Sequence, residues 1–393
     1  MKKVVKSALA VLATLSLAGC AQAPIGAPEG AANKVGDTFK IGYNLELTGA
    51  VAAYGSQEKM GADLAVKEIN ESGGIDGKKI EVVSKDNKSD NAEAASVASS
   101  LVSNDKVVAA VGPATSGAAK ATIPNMTQAG VPLITPSGSD DSLTLMKNGR
   151  LNEFAFRTIF QDSDQGRIIS TYVTNNLKAQ KVLIYYDNSS DYAKGIYSSF
   201  KKNFKGDIVD TVTFQSGDKD FQATLSKVKN LKYDAIVMPG YYNETGLITK
   251  QARELGITAP IIGGDGFASD TYVQLSGKKA ATDVHYVAAF SPKAPASKKT
   301  EPFIKNFKAA NNQEPSAFAA LAYDAVYMIK EAAENGKVED SAQLAKELAE
   351  IKDFDGVTGV MTIDKNHNPV KSAVIVTLDN GVESKAEVVN PEK

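Results

Sequence analysis

The chain has few of the residues that build disulfides and histidine-based catalytic centres. Its 393 residues include one cysteine, two histidines and no tryptophan. One thiol cannot form an intrachain disulfide. The 44 basic residues are balanced by 46 acidic ones, so the strong positive charge of a nucleic-acid-binding protein is absent. The composition therefore argues against disulfide scaffolds, and no nucleic acid is expected as a partner.

A clear apolar run lies at the N-terminus. Lysines precede the apolar residues 8–18, and small residues follow directly before Cys20. About a dozen apolar residues are too few for a membrane-spanning helix, which needs roughly twenty, so the pattern is that of a secretory signal. Small residues followed by cysteine resemble a bacterial lipobox, which predicts a signal peptide over residues 1–19 and a lipid on Cys20. The alternative is an ordinary secreted protein with a chance cysteine.

The segment that follows predicts a flexible linker. Residues 20–37 are rich in Ala, Gly and Pro and have almost no large apolar side chains, so we expect nothing there to pack. With a lipid on Cys20, this linker would tether the protein to the outer face of a membrane. The remaining chain is longer than one hydrophobic core usually serves, which predicts two domains.

From residue 39 onward, short β-branched runs alternate with longer amphipathic stretches, as in βαβ units around a mostly parallel sheet. The pattern predicts strands at 39–45, 79–84, 107–111, 131–135, 154–159, 181–186, 207–214, 234–238, 260–262 and 284–290, and a strand pair at 359–363 and 373–378. It predicts helices at 58–71, 92–104, 118–129, 301–310, 316–335 and 343–351. The sequence therefore predicts an α/β protein with two lobes of similar size.

Three loops that follow predicted strands are unusually polar: residues 112–117, 135–140 and 263–266. Open α/β sheets bind ligands beyond the carboxyl ends of their strands, where helix N-termini present free N–H groups. Hydroxyl groups in the first two loops suit a carboxylate, and an aspartate in the third suits an ammonium group. Each loop alone is explained by turn chemistry or N-capping, but together they favour a zwitterion held between two halves.

Several short motifs, taken in order and with their spacing, resemble one family. They stand at residues 53–58, 61–62, 69–70, 73–78, 131–136, 162–166 and 217–221. Over about residues 39–378 they are similar to the extracytoplasmic solute-binding proteins of branched-chain amino acid ABC transporters, the leucine/isoleucine/valine-binding type. The resemblance implies the type I periplasmic binding protein fold, with two doubly wound α/β lobes joined by a three-segment hinge.

The resemblance also implies how the chain is divided. Lobe 1 is expected to comprise residues 38–160 and 290–362, and lobe 2 residues 161–289 and 363–393. The three crossings of the hinge are expected near residues 158–161, 289–291 and 361–363. The lobes of this family close over the ligand, and the closed form delivers it to the permease.

The ligand contacts of the family match particular residues of this chain. Ser116 and Ser139 match the hydroxyl groups that hold the ligand's carboxylate. The backbone carbonyl of Ser137, beside Gly138 in the same loop, and the side chain of Asp265 match the contacts to the ammonium group. The aromatic residues around the ligand's apolar side chain match Tyr54, Tyr192 and Tyr241, with Phe318 as a weaker candidate.

Some residues depart from the family's pattern. Asp265 is one methylene shorter than the familiar glutamate, so a bridging water or tighter closure is expected there. Ser137 replaces a small apolar residue, and Thr115 stands where one member of a cysteine pair would be. Because the chain has 14 tyrosines and no tryptophan, each tyrosine also has ordinary packing as an alternative.

The implied ligand is a free amino acid, bound without a cofactor or a metal. A calcium-like run that starts at Asp364 has Pro369 where such a loop requires glycine. The implied partners are the membrane subunits of an ABC permease with their ATPases, and a membrane through the lipid on Cys20. The protein is expected to act as a monomer. A binding protein or sensor for another small amino acid, an amide or a short peptide remains the alternative.

A secreted hydrolase is the main rival class. Ser116 and Ser137 follow strands, where nucleophiles occur. His285 lies inside a strand-like run and His367 in a turn, so neither is placed as an evident base. Neither serine loop has the G-x-S-x-G pattern that exposes a nucleophile. The sequence therefore predicts a binding protein and not an enzyme.

Overall fold

The computed structural model describes residues 27–390. A parallel five-stranded sheet forms the centre of lobe 1, in the order β2-β1-β3-β4-β5. Its strands are β1 (Phe39–Leu45), β2 (Ile80–Asp86), β3 (Ala109–Val111), β4 (Leu133–Thr135) and β5 (Ala155–Arg157). All five predicted strands of this set are present, and β1 has the predicted bounds. The central strands are apolar because both faces of the sheet are covered by helices.

Six helices belong to lobe 1, and three of them return from the C-terminal third of the chain. They are α1 (Ala52–Glu71), α2 (Asn91–Ser103), α3 (Ser116–Ala129), α9 (Thr300–Asn311), α10 (Ala317–Gly336) and α11 (Ser341–Ala349). The Asp90 side chain caps α2 by accepting the backbone N–H of Glu93. Helix α1 lies against α10 so closely that a Cβ on Gly61 would stand 1.9 Å from the carbonyl oxygen of Ala319. This contact joins the two separate parts of lobe 1.

A seven-stranded sheet forms the centre of lobe 2, in the order β15-β14-β10-β9-β8-β6-β7. Strands β6 to β10 are parallel, whereas β14 and β15 run antiparallel at one edge. The strands are β6 (Lys181–Asp187), β7 (Asp207–Phe214), β8 (Ala235–Val237), β9 (Ile261–Gly263), β10 (Val284–Ala288), β14 (Ala373–Asp379) and β15 (Val382–Val389). Five helices accompany them: α4 (Asp162–Asn175), α5 (Asp191–Asn203), α6 (Gln222–Val228), α7 (Tyr242–Glu254) and α8 (Asp270–Ser276).

The predicted pairing of residues 359–363 with 373–378 is wrong. A small antiparallel sheet contains β11 (Phe354–Gly356), β12 (Gly359–Ile363) and β13 (Pro369–Val370), and β12 pairs with β11 and β13. Strand β14 pairs instead with β10 and β15. The Asp364 carboxylate accepts the N–H groups of Asn366 and Asn368, both at 2.8 Å, so the turn folds β12 back onto β13.

The chain passes between the lobes in three places. It crosses between β5 and α4, between β10 and α9, and between β13 and β14. The third crossing lies later than predicted, because residues 361–363 belong to β12 and His367 stacks on Phe156 of lobe 1. At this crossing the ammonium of Lys371 donates to the carbonyl of Thr158 at 3.1 Å, which ties the third crossing to the first.

Part of the predicted linker packs on lobe 1. The Asn33 side-chain amide donates to the carbonyls of Val102 and Val107, and Val35 N–H donates to the carbonyl of Glu339. The expectation that nothing in residues 20–37 packs is therefore wrong for this part. Polar backbone and amide contacts hold it, and Val35 also packs against the hydrophobic core.

The signal peptide and Cys20 lie outside the described residues. Among residues 27–390, no helix combines the length and apolar character needed to cross a membrane.

The α1–α10 contact gives a test of the packing. Gly61→Ala places a methyl group against backbone that cannot turn away, so we expect a loss of about 1–3 kcal/mol in the free energy of unfolding, measured by urea denaturation. Gly36→Ala is the matched control, because nothing lies within 4 Å of the added carbon there. Equal stability of both variants would contradict the close packing.

Candidate functional site

Two strand exits of lobe 1 meet at the side chain of Ser116, the first residue of α3. Its Oγ accepts the backbone N–H groups of Ser139 at 3.2 Å and Asp140 at 3.1 Å. Because the acceptor sites of the hydroxyl are used in this way, its proton is left to donate to another group. The structure thus brings together the two serines that the sequence assigns to a carboxylate, and both are buried.

The hydroxyl of Ser137 is occupied within the protein. It lies 2.5 Å from Glu58 Oε1 and 2.9 Å from the carbonyl oxygen of Ala114. A hydroxyl has one proton, so a protonated Glu58 satisfies both contacts by donating to Ser137 while Ser137 donates to Ala114. Burial, followed by the charge of Glu46, raises the pKa of Glu58 well above its usual range. The side chain of Ser137 therefore fixes the loop.

Arg157 holds the same loop from behind. Its guanidinium is fully buried at the end of β5 and donates to the carbonyls of Gly138 at 3.4 Å and Asp140 at 3.0 Å. It also donates to Thr144 Oγ1 at 3.1 Å. Burial lowers the pKa of Arg157, but an arginine stays protonated in proteins. A positive charge therefore lies directly behind the loop of Ser139.

Lobe 2 contributes Asp265, which begins a short 3-10 turn after β9. Its Oδ1 accepts from the side-chain amide of Gln165 at 2.9 Å. The hydroxyl of Tyr192 accepts the N–H of Gly266 at 2.9 Å. A hydrogen bond from the same hydroxyl lowers the pKa of Asp265. Burial nevertheless raises the pKa of Asp265 to about 6. At neutral pH the ionised form of this buried group therefore predominates.

The predicted aromatic residues form one cluster that joins the lobes. Tyr54 of α1 stacks on Phe318 at 4.3 Å and meets Tyr241 edge-on at 5.7 Å, and Tyr241 stacks on Tyr192 at 5.0 Å. The Tyr54 hydroxyl donates to the carbonyl of Gly266 in lobe 2 at 2.5 Å. The four aromatic residues named from the sequence are therefore in mutual contact.

Tyr242 has a role that sequence reasoning missed, because it was treated as ordinary packing. Its hydroxyl donates to the carbonyl of Ala50 at 3.1 Å and accepts the N–H of Ala53 at 3.3 Å, both in lobe 1. At the mouth of the cleft, the ammonium of Lys120 lies 2.7 Å from a carboxylate oxygen of Asp191 in lobe 2. The lobes are thus in direct contact, and the structure shows a closed cleft.

Asp162 is a second buried acid that sequence reasoning did not single out, although it lies in the 162–166 motif. Its backbone N–H donates to the carbonyl of Ser139 at 2.9 Å. Within residues 27–390, neither carboxylate oxygen of Asp162 nor the Oγ of Ser139 has a hydrogen-bond partner. Burial raises the pKa of Asp162 well above its usual range. The Ser139 side chain acts on the pKa of Asp162 in the opposite direction, so these two polar groups lie next to each other.

A model of the periplasmic binding protein family matches residues 38–383. The chain belongs to the periplasmic binding protein family. A Leu/Ile/Val-binding protein homologue of Brucella melitensis is 32% identical over 360 residues, which cover 91% of each chain. The structure of the branched-chain amino acid transporter substrate binding protein LivJ from Streptococcus pneumoniae, in complex with isoleucine, is 52% identical with a TM-score of 0.86. It covers 90% of this chain and 100% of that chain.

A leucine binding protein, LivK from Thermotoga maritima, is 32% identical with a TM-score of 0.84 and covers 90% of this chain and 99% of that chain. These comparisons confirm the predicted fold class of two α/β lobes. The family supplies solute binding to transport and is not enzymatic. Consistent with this, His285 contacts Tyr172, Asp283 and Thr377, and His367 contacts Ala155, so neither activates Ser116 or Ser137.

The buried acid Glu58 gives a pH test. A raised pKa in the folded protein means that stability falls as the pH rises above about 4.5, because the unfolded chain ionises freely there. Glu58→Gln keeps a donor to Ser137 and removes the ionisation. We expect the midpoint of thermal unfolding of Glu58→Gln to rise relative to that of the wild type as the pH increases above about 4.5.

Glu301→Gln, at an exposed position of α9, is the control for this test. The difference between its midpoint of thermal unfolding and that of the wild type is expected to stay constant over the same pH range. A constant difference for Glu58→Gln as well would show that Glu58 is not held in its neutral form.

Proposed function

We propose that this protein is an extracytoplasmic solute-binding lipoprotein. It captures a branched-chain amino acid (leucine, isoleucine or valine) between its lobes and delivers it to an ABC permease for import. The observation that carries the proposal is the arrangement of unlike polar groups across one closed cleft, with hydroxyl donors in lobe 1 and a buried anion in lobe 2. The likeness to LivJ, whose structure contains isoleucine, supports the choice of ligand.

Lobe 1 binds the carboxylate in this proposal. Ser116 has a free proton to donate, and Ser139 has a buried Oγ without a partner among the described residues. Ser116 begins α3, where free N–H groups and the helix dipole favour an anion, and the backbone N–H of Ser139 contacts its hydroxyl. The buried charge of Arg157 behind the loop acts in the same direction.

The ammonium group is bound from both lobes. Within residues 27–390 the carbonyl of Ser137 accepts none of the hydrogen bonds that fix its loop, which go to its neighbours Pro136, Gly138 and Asp140. Asp265 supplies the negative charge from lobe 2, and the Asp162 carboxyl group beside Ser139 supplies a further acceptor oxygen. A primary ammonium has three protons to donate, and these acceptors are enough to satisfy them.

The apolar side chain is bound among Tyr54, Tyr192 and Tyr241. Their rings supply apolar area, while their hydroxyl groups are directed to backbone or polar partners elsewhere. Such a wall accepts an aliphatic side chain through burial of its area, at roughly 25 cal/mol per Å². A charged side chain would lose its hydration there without a partner.

Capture proceeds by closure of the lobes about the three crossings. The carboxylate is bound first by Ser116 and Ser139 on lobe 1, and closure then brings Tyr192, Tyr241 and Asp265 over the ligand. A ligand shifts this equilibrium only by its preference for the closed form, so it must contact both lobes. The lobe division follows the crossings, with the third placed between β13 and β14.

The protein is held at the membrane by the lipid on Cys20 after removal of residues 1–19, acts as a monomer, and works with the membrane and ATPase subunits of the permease.

Metabolic labelling with an alkyne-bearing fatty acid tests the anchor. The wild type is expected to be labelled and to sediment with membranes, whereas Cys20→Ser is neither labelled nor sedimented. Equal labelling of both proteins would refute the assignment.

The ligand site is tested by titration calorimetry with isoleucine on protein refolded to remove bound ligand. Ser116→Ala and Asp265→Ala are each expected to weaken binding by about 1–3 kcal/mol, since each removes one partner of a buried charged group. The control is Ser103→Ala, at an exposed position of α2, which is expected to bind as the wild type does. Unchanged affinity in both site variants would refute the site, and absence of binding to any branched-chain amino acid would refute the function.

A further inference from the structure

Asp265 and Gln165 hold each other by two hydrogen bonds. The Gln165 Nε2 donates to Asp265 Oδ1 at 2.9 Å, and the backbone N–H of Asp265 donates to Gln165 Oε1 at 3.0 Å. Both side chains are buried. The two ends of the planar amide are therefore occupied by the same residue. Only this orientation satisfies both contacts, because a flipped amide would face the carboxylate with its oxygen and the N–H with its NH₂ group.

This pairing determines where the charge of Asp265 points. Gln165 occupies Oδ1, and the Tyr192 hydroxyl and the N–H of Gly266 also interact with the carboxylate. A free aspartate side chain populates several rotamers, whereas one whose Oδ1 and backbone N–H are both hydrogen-bonded to the same partner is restricted to few. A short side chain that cannot reach as far as a glutamate depends on such orientation.

Two glycines make room for the pairing. A Cβ on Gly264 would stand 2.4 Å from the Tyr192 hydroxyl and 2.7 Å from Gln165 Oε1. A Cβ on Gly266 would stand 2.7 Å from the carbonyl oxygen of Gly240. The glycines on either side of Asp265 are thus required by the close approach of Gln165 and Tyr192, and the local sequence is suited to this arrangement.

We propose that Gln165 is a positioning residue for ammonium recognition: by holding Asp265 through both ends of its amide, it keeps the carboxylate in one orientation toward the ligand. The inference rests on the proposed function, because it concerns the amino acid bound at the same site. Gln165 itself touches no ligand atom in this account. Its effect is exerted entirely through Asp265.

The groups around Asp265 show why an extra donor matters. The ionisable groups within electrostatic range are Tyr54 from α1, Asp162 from α4, Tyr192 from α5 and Tyr241 just before α7. Tyrosines are neutral at physiological pH, and a second acid opposes ionisation. Hydrogen bonds from Gln165, Tyr192 and the backbone N–H of Gly266 lower the pKa of Asp265 against the effect of burial, which raises it to about 6. Removal of the Gln165 donor therefore raises the pKa further.

The test is the pH dependence of binding, measured by calorimetry between about pH 5 and about pH 8. The ligands are isoleucine and its deaminated analogue 3-methylpentanoate. In the wild type we expect affinity for isoleucine to fall as the pH drops through about 6, where Asp265 becomes protonated. In Gln165→Leu we expect a loss of roughly ten- to a hundredfold at neutral pH, with the fall beginning at a higher pH. Affinity for 3-methylpentanoate is expected to be the same in both proteins.

Gln165→Glu serves as a second variant of nearly equal size, in case the apolar one does not fold. It places an acid against Oδ1, so the same upward shift of the pH midpoint is expected. A merely structural role for Gln165 would weaken both ligands alike and leave the midpoint unchanged, and that result would overturn the inference. Failure of the wild type to bind isoleucine at any pH would instead refute the proposed function, and the inference with it.

Discussion

Burial of ionisable side chains is the constraint on which this cleft depends. A charge removed from water requires a partner or must be neutral. Glu46 is fully buried and accepts the N–H of Ala114 at 2.9 Å, and the N–H and hydroxyl of Thr115 at 3.1 and 2.8 Å. The terminal nitrogens of Arg157 donate to loop carbonyls. The bonds that stabilise these charges are thus the bonds that fix the loops of the proposed ligand site.

The same constraint explains why the cleft suits a zwitterion. Lobe 1 offers donors beside a buried cation, and lobe 2 offers an anion, so each lobe alone holds only half of the ligand's charges in favourable surroundings. Direct contacts across the cleft include polar ones, such as Tyr54 with Gly266 and Lys120 with Asp191, and the aromatic contacts of Tyr54 with Tyr241 and Tyr242. In the proposed mechanism, a ligand that pairs with both lobes supplies the free energy that favours the closed form.

Local sequence pattern predicted the sheet and helix framework well, because β-branched runs and helical periodicity report burial directly. The sequence pattern failed to predict β15. The eight residues of this edge strand include Glu383, Ser384 and Lys385, so no apolar alternation marks it. The pattern also misplaced the partner of β12, since a two-residue strand such as β13 has too little sequence to show a pattern.

The residues expected around the ligand do lie together, and their roles stay predictions. The residues that hold these expected ligand contacts in place were missed for a physical reason. Gln165 and Asp265 are separated by 100 positions, and Ser137 and Glu58 by 79. Pairings over such distances are created by the tertiary fold and leave no periodic trace. Local signals were present for Arg157, a charged residue at the end of an apolar strand, and for Glu58 and Gln165, which lie in the motifs 53–58 and 162–166.

The central claim is that a ligand must carry both charges to close the two lobes. Small-angle X-ray scattering on the unlipidated mature chain, refolded to remove bound ligand, measures closure directly as a decrease in the radius of gyration. The account predicts a decrease on saturation with isoleucine and none with 3-methylpentanoate or 2-methylbutylamine, which each carry one of its two charges. Equal compaction by either analogue, or no compaction by isoleucine, would contradict it.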